Sequence, residues 1–464
     1  MDLTRLLEPL SPSQVVGDAS VEVEDLAYDS RAVRPGTLFF CVPGERTDGH
    51  DFAERAVDAG AVALVVERPL SVRVPQAVVP DARAAMAPAA AEFFGHPTEE
   101  LEIAAVTGTN GKTTTAFLLH SILEAAGRRP GLLGTIESRV GGERRPALRT
   151  TPEAIDLQRA FREMLDAGDG SCALEATSHG SHYGRLAHTR FACLVFTNLT
   201  QDHLDLHGTM DEYFEAKRRF FVDEPRPPAA VNVGDPWGRK LAADRPDALT
   251  YGFADDAELQ PQALDGIDVK LKGRFNVENA LAAMAGGRLL GIADEDIAAG
   301  LERLAGVPGR FESVDEGQPF TVLVDYAHTP DSLENVLRAA RDLTSERVIC
   351  VFGCGGDRDR GKRPLMGRIA ADLADVAIVT SDNPRSEDPR AIIEEILAGA
   401  EGELEVEPDR REAIARAVET AAPDDVVLIA GKGHEQGQQF RDRTVPFDDR
   451  EVAREALRRL GART

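Results

Sequence analysis

A glycine-rich segment near residue 110 is the feature that most constrains the fold of this chain. The segment Gly108 to Thr114, GTNGKTT, follows an apolar run from Leu101 to Val106 and precedes a stretch, Thr115 to Ala125, with helical periodicity. This order predicts a buried strand, a tight loop and a helix, a junction whose backbone amides can converge on a phosphate group. Lys112 would neutralise phosphate charge, and Thr113 would offer a hydroxyl to Mg²⁺. Because the segment lacks the first glycine of the usual phosphate loop, a plain strand-turn-helix junction remains an alternative at this point.

Length and composition limit the class of protein. At 464 residues the chain should hold about three domains of roughly 150 residues each. No apolar stretch approaches the roughly 20 residues that cross a bilayer, and the first residues lack the layout of an export signal. The five cysteines form no metal-binding pattern, so we expect a cytoplasmic protein without membrane insertion or a zinc site. A net charge of -26 argues against a nucleic-acid partner and favours small-molecule partners.

Strand-like and helix-like runs divide the chain into three α/β blocks. In the first block, strand-like runs alternate with helix-like runs at 52–59 and 82–94 up to a glycine-proline break at 95–98. A second break, rich in glycine and proline, lies at 306–310. The predicted domains are therefore 1–98, 99–308 and 309–464.

The third block repeats one design four times. Its buried-strand runs lie at 321–325, 347–352, 376–380 and 426–430, and a polar loop follows each of them. Such continuous apolar runs separated by helical segments predict a parallel sheet. Ligands of open α/β sheets bind at the carboxyl ends of the strands, so we expect the four loops to surround one crevice.

A lysine on a predicted helix near residue 210 calls for an explanation. Thr209 and Glu212 have the spacing of a capping box, which places the start of the helix near Thr209. Phe214, Lys217 and Phe221 follow at helical spacing, so Lys217 shares the apolar face. Its stem could extend along the core while the ammonium reaches water. Alternatively, burial lowers the pKa of the amine below its usual value of about 10.4, and the neutral amine adds CO₂ to become a carbamate.

The motifs of this chain, taken in order, resemble those of the Mur ligase family over essentially its whole length. They are YDSR from Tyr28, GTNGKTT from Gly108, TTP from Thr150, EATSHG from Glu175, FTNLTQDHLDLHGTMDEYFEAK ending at Lys217, DYAHTPDSLENVL from Asp325, GCGGDRDRGKRPLMG from Gly353, DNPR from Asp382 and GKGHE from Gly431. The resemblance implies a small N-terminal α/β domain that binds a UDP-substrate, a central P-loop-type ATPase domain with a mostly parallel sheet, and a C-terminal Rossmann-like domain that binds an amino acid. It also implies an ATP-dependent ligase of peptidoglycan precursor synthesis that extends UDP-N-acetylmuramoyl-L-alanyl-D-glutamate through an acyl phosphate. We expect a monomer.

The resemblance assigns roles to individual residues. ATP would be held by Gly108, Thr109, Asn110, Gly111, Lys112, Thr113, Thr114, Asn276, Arg310, Asp325 and His328. Two Mg²⁺ ions would be held by Thr113, Glu175, His203 and a CO₂-derived carbamate on Lys217, and the catalytic residues would be Lys112, Glu175, His203 and Lys217. The UDP-substrate would contact Ser30, Thr150, Thr151, Thr177 and Arg185. The incoming amino acid would contact Arg358, Asp382, Asn383, Pro384, Arg385, Gly431 and Glu435.

The DNPR segment bears on which amino acid is added. Family members that add meso-diaminopimelate resemble this pattern, whereas members that add lysine carry another residue in place of the arginine. Arg385 can grip the distal carboxylate of diaminopimelate with two charge-assisted hydrogen bonds, and Glu435 could contact the distal ammonium. We therefore expect diaminopimelate, with L-lysine as the alternative. Folylpolyglutamate synthase shares the phosphate loop but has no equivalent of residues 1–97, and a nucleotide-binding switch that joins no substrates is the alternative of another class.

Overall fold

The computed structural model describes residues 1–44 and 47–461. Its strands are β1 (Gln14–Val16), β2 (Asp25–Ala27), β3 (Thr37–Phe40), β4 (Ala61–Val66), β5 (Gln76–Val78), β6 (Glu102–Thr107), β7 (Pro130–Leu133), β8 (Glu137–Val140), β9 (Glu143–Pro146), β10 (Ser171–Glu175), β11 (Cys193–Phe196), β12 (Ala229–Asn232), β13 (Leu249–Tyr251), β14 (Glu312–Ser313), β15 (Thr321–Asp325), β16 (Val348–Phe352), β17 (Val376–Val379), β18 (Glu405–Val406), β19 (Val426–Ala430), β20 (Gly437–Gln439) and β21 (Thr444–Pro446).

Helices alternate with most of these strands. They are α1 (Leu3–Leu7), α2 (Ala53–Asp58), α3 (Met86–Phe93), α4 (Lys112–Ala125), α5 (Ala154–Asp166), α6 (Ser178–His182), α7 (Leu204–His207), α8 (Met210–Val222), α9 (Pro236–Asp244), α10 (Arg274–Leu289), α11 (Asp294–Arg303), α12 (Pro330–Arg341), α13 (Lys362–Leu373), α14 (Pro389–Leu397), α15 (Arg410–Thr420) and α16 (Asp449–Gly461). Within the two described ranges, every helix is too short or too polar to span a lipid bilayer.

The chain forms two compact units. The first unit consists of Met1–Thr107, Leu123–Val195 and Ala216–Ala229, and the second consists of Gly108–Ile122, Phe196–Glu215 and Ala230–Thr464. The phosphate-loop segment and the four repeated strands of the third block therefore belong to the second unit.

Two groups of strands build the first unit. One is a five-stranded sheet in the order β1-β5-β4-β3-β2, in which only β1 is antiparallel to its neighbour. In the other, β10 pairs in parallel with β6 and β7, and β8 and β9 extend the edge as antiparallel strands. The apolar side chains of α1, α3 and the first turn of α5 pack over the five-stranded sheet in one core cluster.

The second unit is organised around a six-stranded sheet in the order β14-β15-β19-β16-β17-β18. All strands except β14 run parallel. One face is covered by α12, α13 and α14, and the other by α15 and α16. Because both faces are buried, the four central strands β15, β19, β16 and β17 are largely apolar, as the sequence predicted. Parallel strands bring the carboxyl ends of β15, β16, β17 and β19 to one edge of this sheet.

The sequence located most elements correctly but shifted two helix starts. The four strands of the third block and the strand-loop-helix order around residue 110 are confirmed. Helix α4 begins at Lys112, three residues before the predicted start at Thr115. Helix α3 begins at Met86 rather than Ala82, and residues 82–85 form a turn in which the Asp81 carboxylate accepts from the backbone N–H groups of Arg83 and Ala84.

Candidate active site

The loop between β6 and α4 has a backbone that only glycine can adopt at two positions. Gly108 and Gly111 have φ angles of +150° and +85°. A β-carbon at Gly108 would lie 1.9 Å from the Thr197 hydroxyl, and one at Gly111 would lie 2.3 Å from the Asn279 amide oxygen. The two glycines therefore permit both the turn and the close approach of neighbouring side chains.

Side chains of the second unit hold this loop in shape. The Asn110 N–H donates to Oδ1 of Asn198 at 2.9 Å, and the Asn110 carbonyl accepts from the Thr197 hydroxyl at 2.7 Å. The Asn110 amide donates to Asp331 at 2.7 Å, which ties the loop to the first turn of α12. The loop conformation is thus fixed by protein contacts, a property expected of a preorganised anion site.

Two cations lie at the phosphate loop. Lys112 Nζ donates to the carbonyl oxygens of Gly108 and Thr109 at 2.9 and 2.7 Å. Arg310 donates to the Thr113 hydroxyl at 3.0 Å. Residues that the resemblance assigned to ATP from distant parts of the chain are therefore in contact, and together they place two positive charges beside a glycine-rich loop.

Asn276 connects to the same helix through one intermediate residue. Its amide oxygen accepts from Asn279 at 3.0 Å, and the Asn279 oxygen accepts from the Thr115 hydroxyl at 3.4 Å. Both asparagines are buried in α10. Asn276 is therefore linked to α4 within the second unit.

Asp325 and His328 lie at the carboxyl end of β15. Two backbone N–H groups donate to the buried Asp325 carboxylate, and burial raises its pKa above the usual value. Nδ1 of His328 lies 2.9 Å from the Tyr326 carbonyl oxygen. Burial, aided by nearby Lys362, lowers the pKa of His328 to about 4, so the imidazole is neutral at pH 7. A neutral ring that donates from Nδ1 to a carbonyl keeps Nε2 as an acceptor.

In the first unit, a buried carboxylate lies at the carboxyl end of β10. Glu175 is 1% exposed. Its Oε1 accepts from the Thr135 N–H at 2.7 Å, and its Oε2 accepts from the Thr135 hydroxyl at 3.0 Å. Thr135 thus fixes the orientation of the Glu175 carboxylate, although nothing in its local sequence indicates this role.

Three residues predicted to contact the UDP-substrate, Thr151, Thr177 and Arg185, lie near the backbone of Glu175. The Thr151 hydroxyl donates to the Glu175 carbonyl at 2.7 Å and lies 2.9 Å from the Thr177 hydroxyl. Arg185 donates to the Thr151 carbonyl at 3.2 Å. Thr150 joins the same region, since its hydroxyl lies 3.0 Å from that of Thr135, the residue that holds the carboxylate.

Ser30 is not part of this hydrogen-bonded group of residues. It lies in the turn after β2, is half-buried, and makes no hydrogen bond to any residue within 1–44 and 47–461. Its assignment to the UDP-substrate depends on the resemblance of the YDSR motif to the family.

Sequence analysis named Arg185 but missed the cluster of arginines to which it belongs, around Glu153, the residue after the TTP motif. This buried carboxylate contacts Arg83 at 3.3 Å, Arg185 at 3.0 Å and Arg149. Burial lowers the pKa of Arg185, with Glu153 opposing that effect. Three guanidinium groups against one carboxylate leave an excess of positive charge in an otherwise acidic protein, which suits an anionic ligand.

Lys217 is buried in α8, with 1% of its surface exposed. The predicted capping box at the start of that helix is confirmed, since the Thr209 N–H donates to the Glu212 carboxylate at 3.1 Å and the Glu212 N–H to the Thr209 hydroxyl at 3.2 Å. His203, in the second unit, has a φ of +55° and a side chain that is 39% exposed. Its Nε2 lies 3.4 Å from the Asp202 carboxylate.

The predicted Mg²⁺ ligands come from side chains of four different types. Among the described residues, no group of three or more His, Cys, Asp or Glu side chains is arranged to hold a metal ion. The predicted set does not require such a group, because it combines Glu175 and His203 with the Thr113 hydroxyl and a carbamate on Lys217. Mg²⁺ prefers oxygen ligands, and three of these four donors are oxygens, so the set fits the ion in chemical type.

The DNPR and GKGHE segments meet at the carboxyl edge of the six-stranded sheet. The Asn383 amide donates to Glu435 at 2.7 Å. Asp382 is buried, and its Oδ2 has no hydrogen-bond partner among the described residues. A β-carbon at Gly431, whose φ is +117°, would lie 2.7 Å from that oxygen. Two carboxylates and an amide therefore share a small region, and their predicted contact with the incoming amino acid stays a prediction.

Arg385 is held in an unfavourable backbone conformation. Its φ is +51°, a left-handed value that is costly for a residue with a side chain. Its N–H donates to the Gln439 carbonyl at 3.0 Å, and its guanidinium donates to the Gly356 carbonyl at 2.6 Å. Burial and the nearby exposed Arg358 lower the pKa of Arg385. Two like charges near one another form a local site for an anion.

Gly356 gives a direct test of this geometry. A β-carbon there would lie 2.0 Å from the Pro384 carbonyl oxygen, a backbone atom that cannot move without shifting DNPR. Because a misplacement of about 1 Å can cost roughly 100-fold, we expect Gly356→Ala to raise KM for the incoming amino acid by about that factor. KM for ATP should stay within about threefold of its value in the unchanged protein, because the substitution does not touch the ATP residues. The control is Gly402→Ala, where a β-carbon would have no neighbour closer than 4.0 Å. Equal damage to both KM values would contradict the interpretation.

Three family models match consecutive parts of the chain: "Mur ligase family, catalytic domain" over 22–97, "Mur ligase middle domain" over 106–287 and "Mur ligase, glutamate ligase domain" over 309–433.

Individual relatives match over almost the full length. A UDP-N-acetylmuramoyl-L-alanyl-D-glutamate--2,6-diaminopimelate ligase of Geobacillus thermodenitrificans is 48% identical, covering 99% of this chain and 99% of its own. A solved structure with the same ligase name is 32% identical with a TM-score of 0.67, covering 99% of each chain. A Mycobacterium tuberculosis folylpolyglutamate synthase is 19% identical with a TM-score of 0.62, covering 81% of this chain and 95% of its own, and shares the fold.

Proposed function

This chain belongs to the Mur ligase family, and on that premise we propose that it is the ATP-dependent ligase that adds meso-diaminopimelate to UDP-N-acetylmuramoyl-L-alanyl-D-glutamate in peptidoglycan precursor synthesis. The observation that carries the proposal is the 48% identity over 99% of both chains to a ligase of that name. The contacts among DNPR, GKGHE and the glycines of GCGGDRD support the choice of amino acid. The predicted domain bounds at 98 and 308 remain part of the proposal.

The first chemical step activates a carboxylate. An unactivated carboxylate is a poor acyl donor, so the D-glutamate γ-carboxylate attacks the γ-phosphate of ATP, ADP leaves, and an acyl phosphate forms. This step brings several negative charges together, and Lys112 and Arg310 are the residues at the phosphate loop that can offset them. When bound, Mg²⁺ supplies further positive charge, and Thr113, Glu175, His203 and a carbamate on Lys217 would hold it.

The second step transfers the acyl group. The amine of the incoming amino acid attacks the acyl carbon, and the resulting tetrahedral intermediate expels inorganic phosphate. The roles proposed for Arg385 and Glu435 are to orient the distal end of diaminopimelate, so that its other amine meets the acyl carbon. Thr150, Thr151, Thr177 and Arg185 are proposed to hold the acceptor, and the positive excess around Glu153 favours its anionic groups.

The catalytic test is a phosphate-release assay with purified protein, ATP, Mg²⁺ and the UDP-muramoyl-dipeptide. We expect turnover that requires both acceptor and amino acid, and a kcat/KM for meso-diaminopimelate at least about 100-fold above that for L-lysine, because L-lysine leaves the carboxylate site of Arg385 unfilled. Equal or reversed preference would favour the L-lysine alternative. Phosphate release that ignores the acceptor, or its absence under all conditions, would favour a nucleotide-binding switch.

Location and oligomeric state are also part of the proposal. We infer a cytoplasmic enzyme, because its proposed substrates are ATP and a UDP-linked precursor. We propose a monomer, and light scattering at assay concentration tests it, with a mass near twice 50.1 kDa as the opposing result.

A further inference from the structure

A lysine that was not assigned to the site lies beneath the proposed diaminopimelate contacts. Lys432 follows Gly431 in GKGHE, and its side chain is 0% exposed. Nζ donates to Oδ1 of Asn383 at 2.9 Å and to Oε2 of Glu435 at 2.8 Å. A buried ammonium is costly unless it is paired and hydrogen-bonded, and here both partners are residues proposed to receive the amino acid.

These contacts determine which way the Asn383 amide faces. Its oxygen accepts from Lys432 and also from the Gln439 N–H at 2.9 Å. Two donors on one side require the oxygen there, so the Asn383 nitrogen must face Glu435, to which it donates at 2.7 Å. Lys432 therefore acts on both ends of the Asn383–Glu435 contact.

The same contacts give the two oxygens of the Glu435 carboxylate different roles. Oε2 accepts from both Lys432 and Asn383, whereas Oε1 accepts no hydrogen bond from the residues at 1–44 and 47–461. A carboxylate anchored through one oxygen presents the other in a fixed direction.

The surroundings have the charge pattern of a zwitterion site. Asp382 supplies a second carboxylate with a buried oxygen that lacks a partner among the described residues. Arg385 and Arg358 supply the neighbouring positive pair, and the carboxylates of Asp382 and Glu435 act electrostatically on Arg385. An α-amino acid end carries one ammonium and one carboxylate on the same carbon, which matches an acidic pair beside a basic pair.

We propose that Lys432 is a positioning residue that orients Glu435 and Asn383 to select an incoming amino acid whose distal end carries an ammonium group next to its carboxylate. The proposal rests on the proposed function, since it assumes that diaminopimelate is bound by DNPR and GKGHE. Lys432 itself does not contact the substrate, because its ammonium is enclosed by protein groups.

The test compares two amino acids that differ only in that ammonium group. Meso-diaminopimelate carries it, and L-2-aminopimelate keeps the distal carboxylate but lacks it. Lys432→Met removes the charge and the donors while preserving length, and Lys432→Gln keeps donors without charge. Lys270→Met is the control, since Lys270 is exposed and pairs with Asp268. All variants are compared by thermal unfolding and by KM for ATP.

We expect wild-type protein to favour meso-diaminopimelate over L-2-aminopimelate. In Lys432→Met, kcat/KM for meso-diaminopimelate should fall by about 10- to 100-fold, while that for L-2-aminopimelate changes by less than about threefold, because the lost effect acts through the Glu435 contact with the ammonium. Lys432→Gln should show the same trend with a smaller loss. A Glu435→Gln change should then add little to Lys432→Met, because both disrupt one interaction.

Three results would overturn the inference. An equal fall for both amino acids would give Lys432 no part in selection, and full additivity with Glu435→Gln would remove the proposed link. If neither Lys432 variant folds, the role of Lys432 is in folding and not in substrate selection. Wild-type protein that does not use meso-diaminopimelate would instead refute the proposed function, so the two failures are distinguishable.

Discussion

Replacing Lys217 with methionine is expected to lower kcat by at least about 1,000-fold while the protein remains folded. The proposed role of Lys217 is to carry a carbamate that provides oxygen ligands for Mg²⁺, and methionine cannot add CO₂. Methionine has similar length and no charge, so it fits a position that is 1% exposed. Thermal unfolding of the variant is compared with that of the unchanged protein, to establish that the fold is retained.

The control and the rescue experiment separate chemistry from packing. Lys240→Met changes an exposed lysine on α9 that pairs with Asp211 and lies over the Phe214 and Trp237 rings. It should leave activity unchanged, and the lost ring contacts should lower stability by about 1 kcal/mol at most. Formate or acetate, added at high concentration, supplies a carboxylate that could occupy the space of the missing group, and partial recovery of Lys217→Met activity is expected. A variant with near-normal kcat would refute the role of Lys217. Lost activity together with lost folding would indicate a packing role instead.

Features encoded by neighbouring residues could be predicted from the sequence. The strands of the third block were found because both faces of a parallel sheet are covered, which makes each strand continuously apolar. The capping box of Thr209 and Glu212 was found because it depends on two residues three positions apart. The glycines at 108 and 111 signalled a loop for a similar local reason, namely positive φ.

Contacts between distant segments gave no such signal. Thr135 holds Glu175 from 40 residues away, and Lys432 holds Asn383 from 49 residues away, so neither pair shares a local pattern. The left-handed conformation of Arg385 also could not be predicted, because arginine has no preference for it and the Gln439 carbonyl that stabilises it lies on β20. The family resemblance suggested the residues of the proposed site, and the structure shows the protein groups that orient them.

Replacing Arg385 with alanine is expected to change which amino acid the enzyme uses. In the proposed complex, the guanidinium makes two charge-assisted hydrogen bonds to the distal carboxylate of diaminopimelate, each worth about 1.5–3 kcal/mol. Their loss should lower kcat/KM for meso-diaminopimelate by about 1,000-fold, which corresponds to about 4 kcal/mol. L-Lysine has no distal carboxylate, so its kcat/KM should change by less than about threefold.

The same variant distinguishes substrate recognition from loop support. Arg385 also donates to the Gly356 carbonyl, so its removal could loosen the neighbouring loop. General loosening would reduce use of both amino acids, whereas loss of the carboxylate contact acts on diaminopimelate alone. Arg385→Lys should recover only part of the activity, because an ammonium group cannot form two parallel bonds to one carboxylate. Arg338→Ala, at an exposed pair with Glu334 on α12, is the matched control, and KM for ATP should be unchanged in all three variants. If the ratio of diaminopimelate to lysine use stays constant in Arg385→Ala, specificity must arise elsewhere in the site.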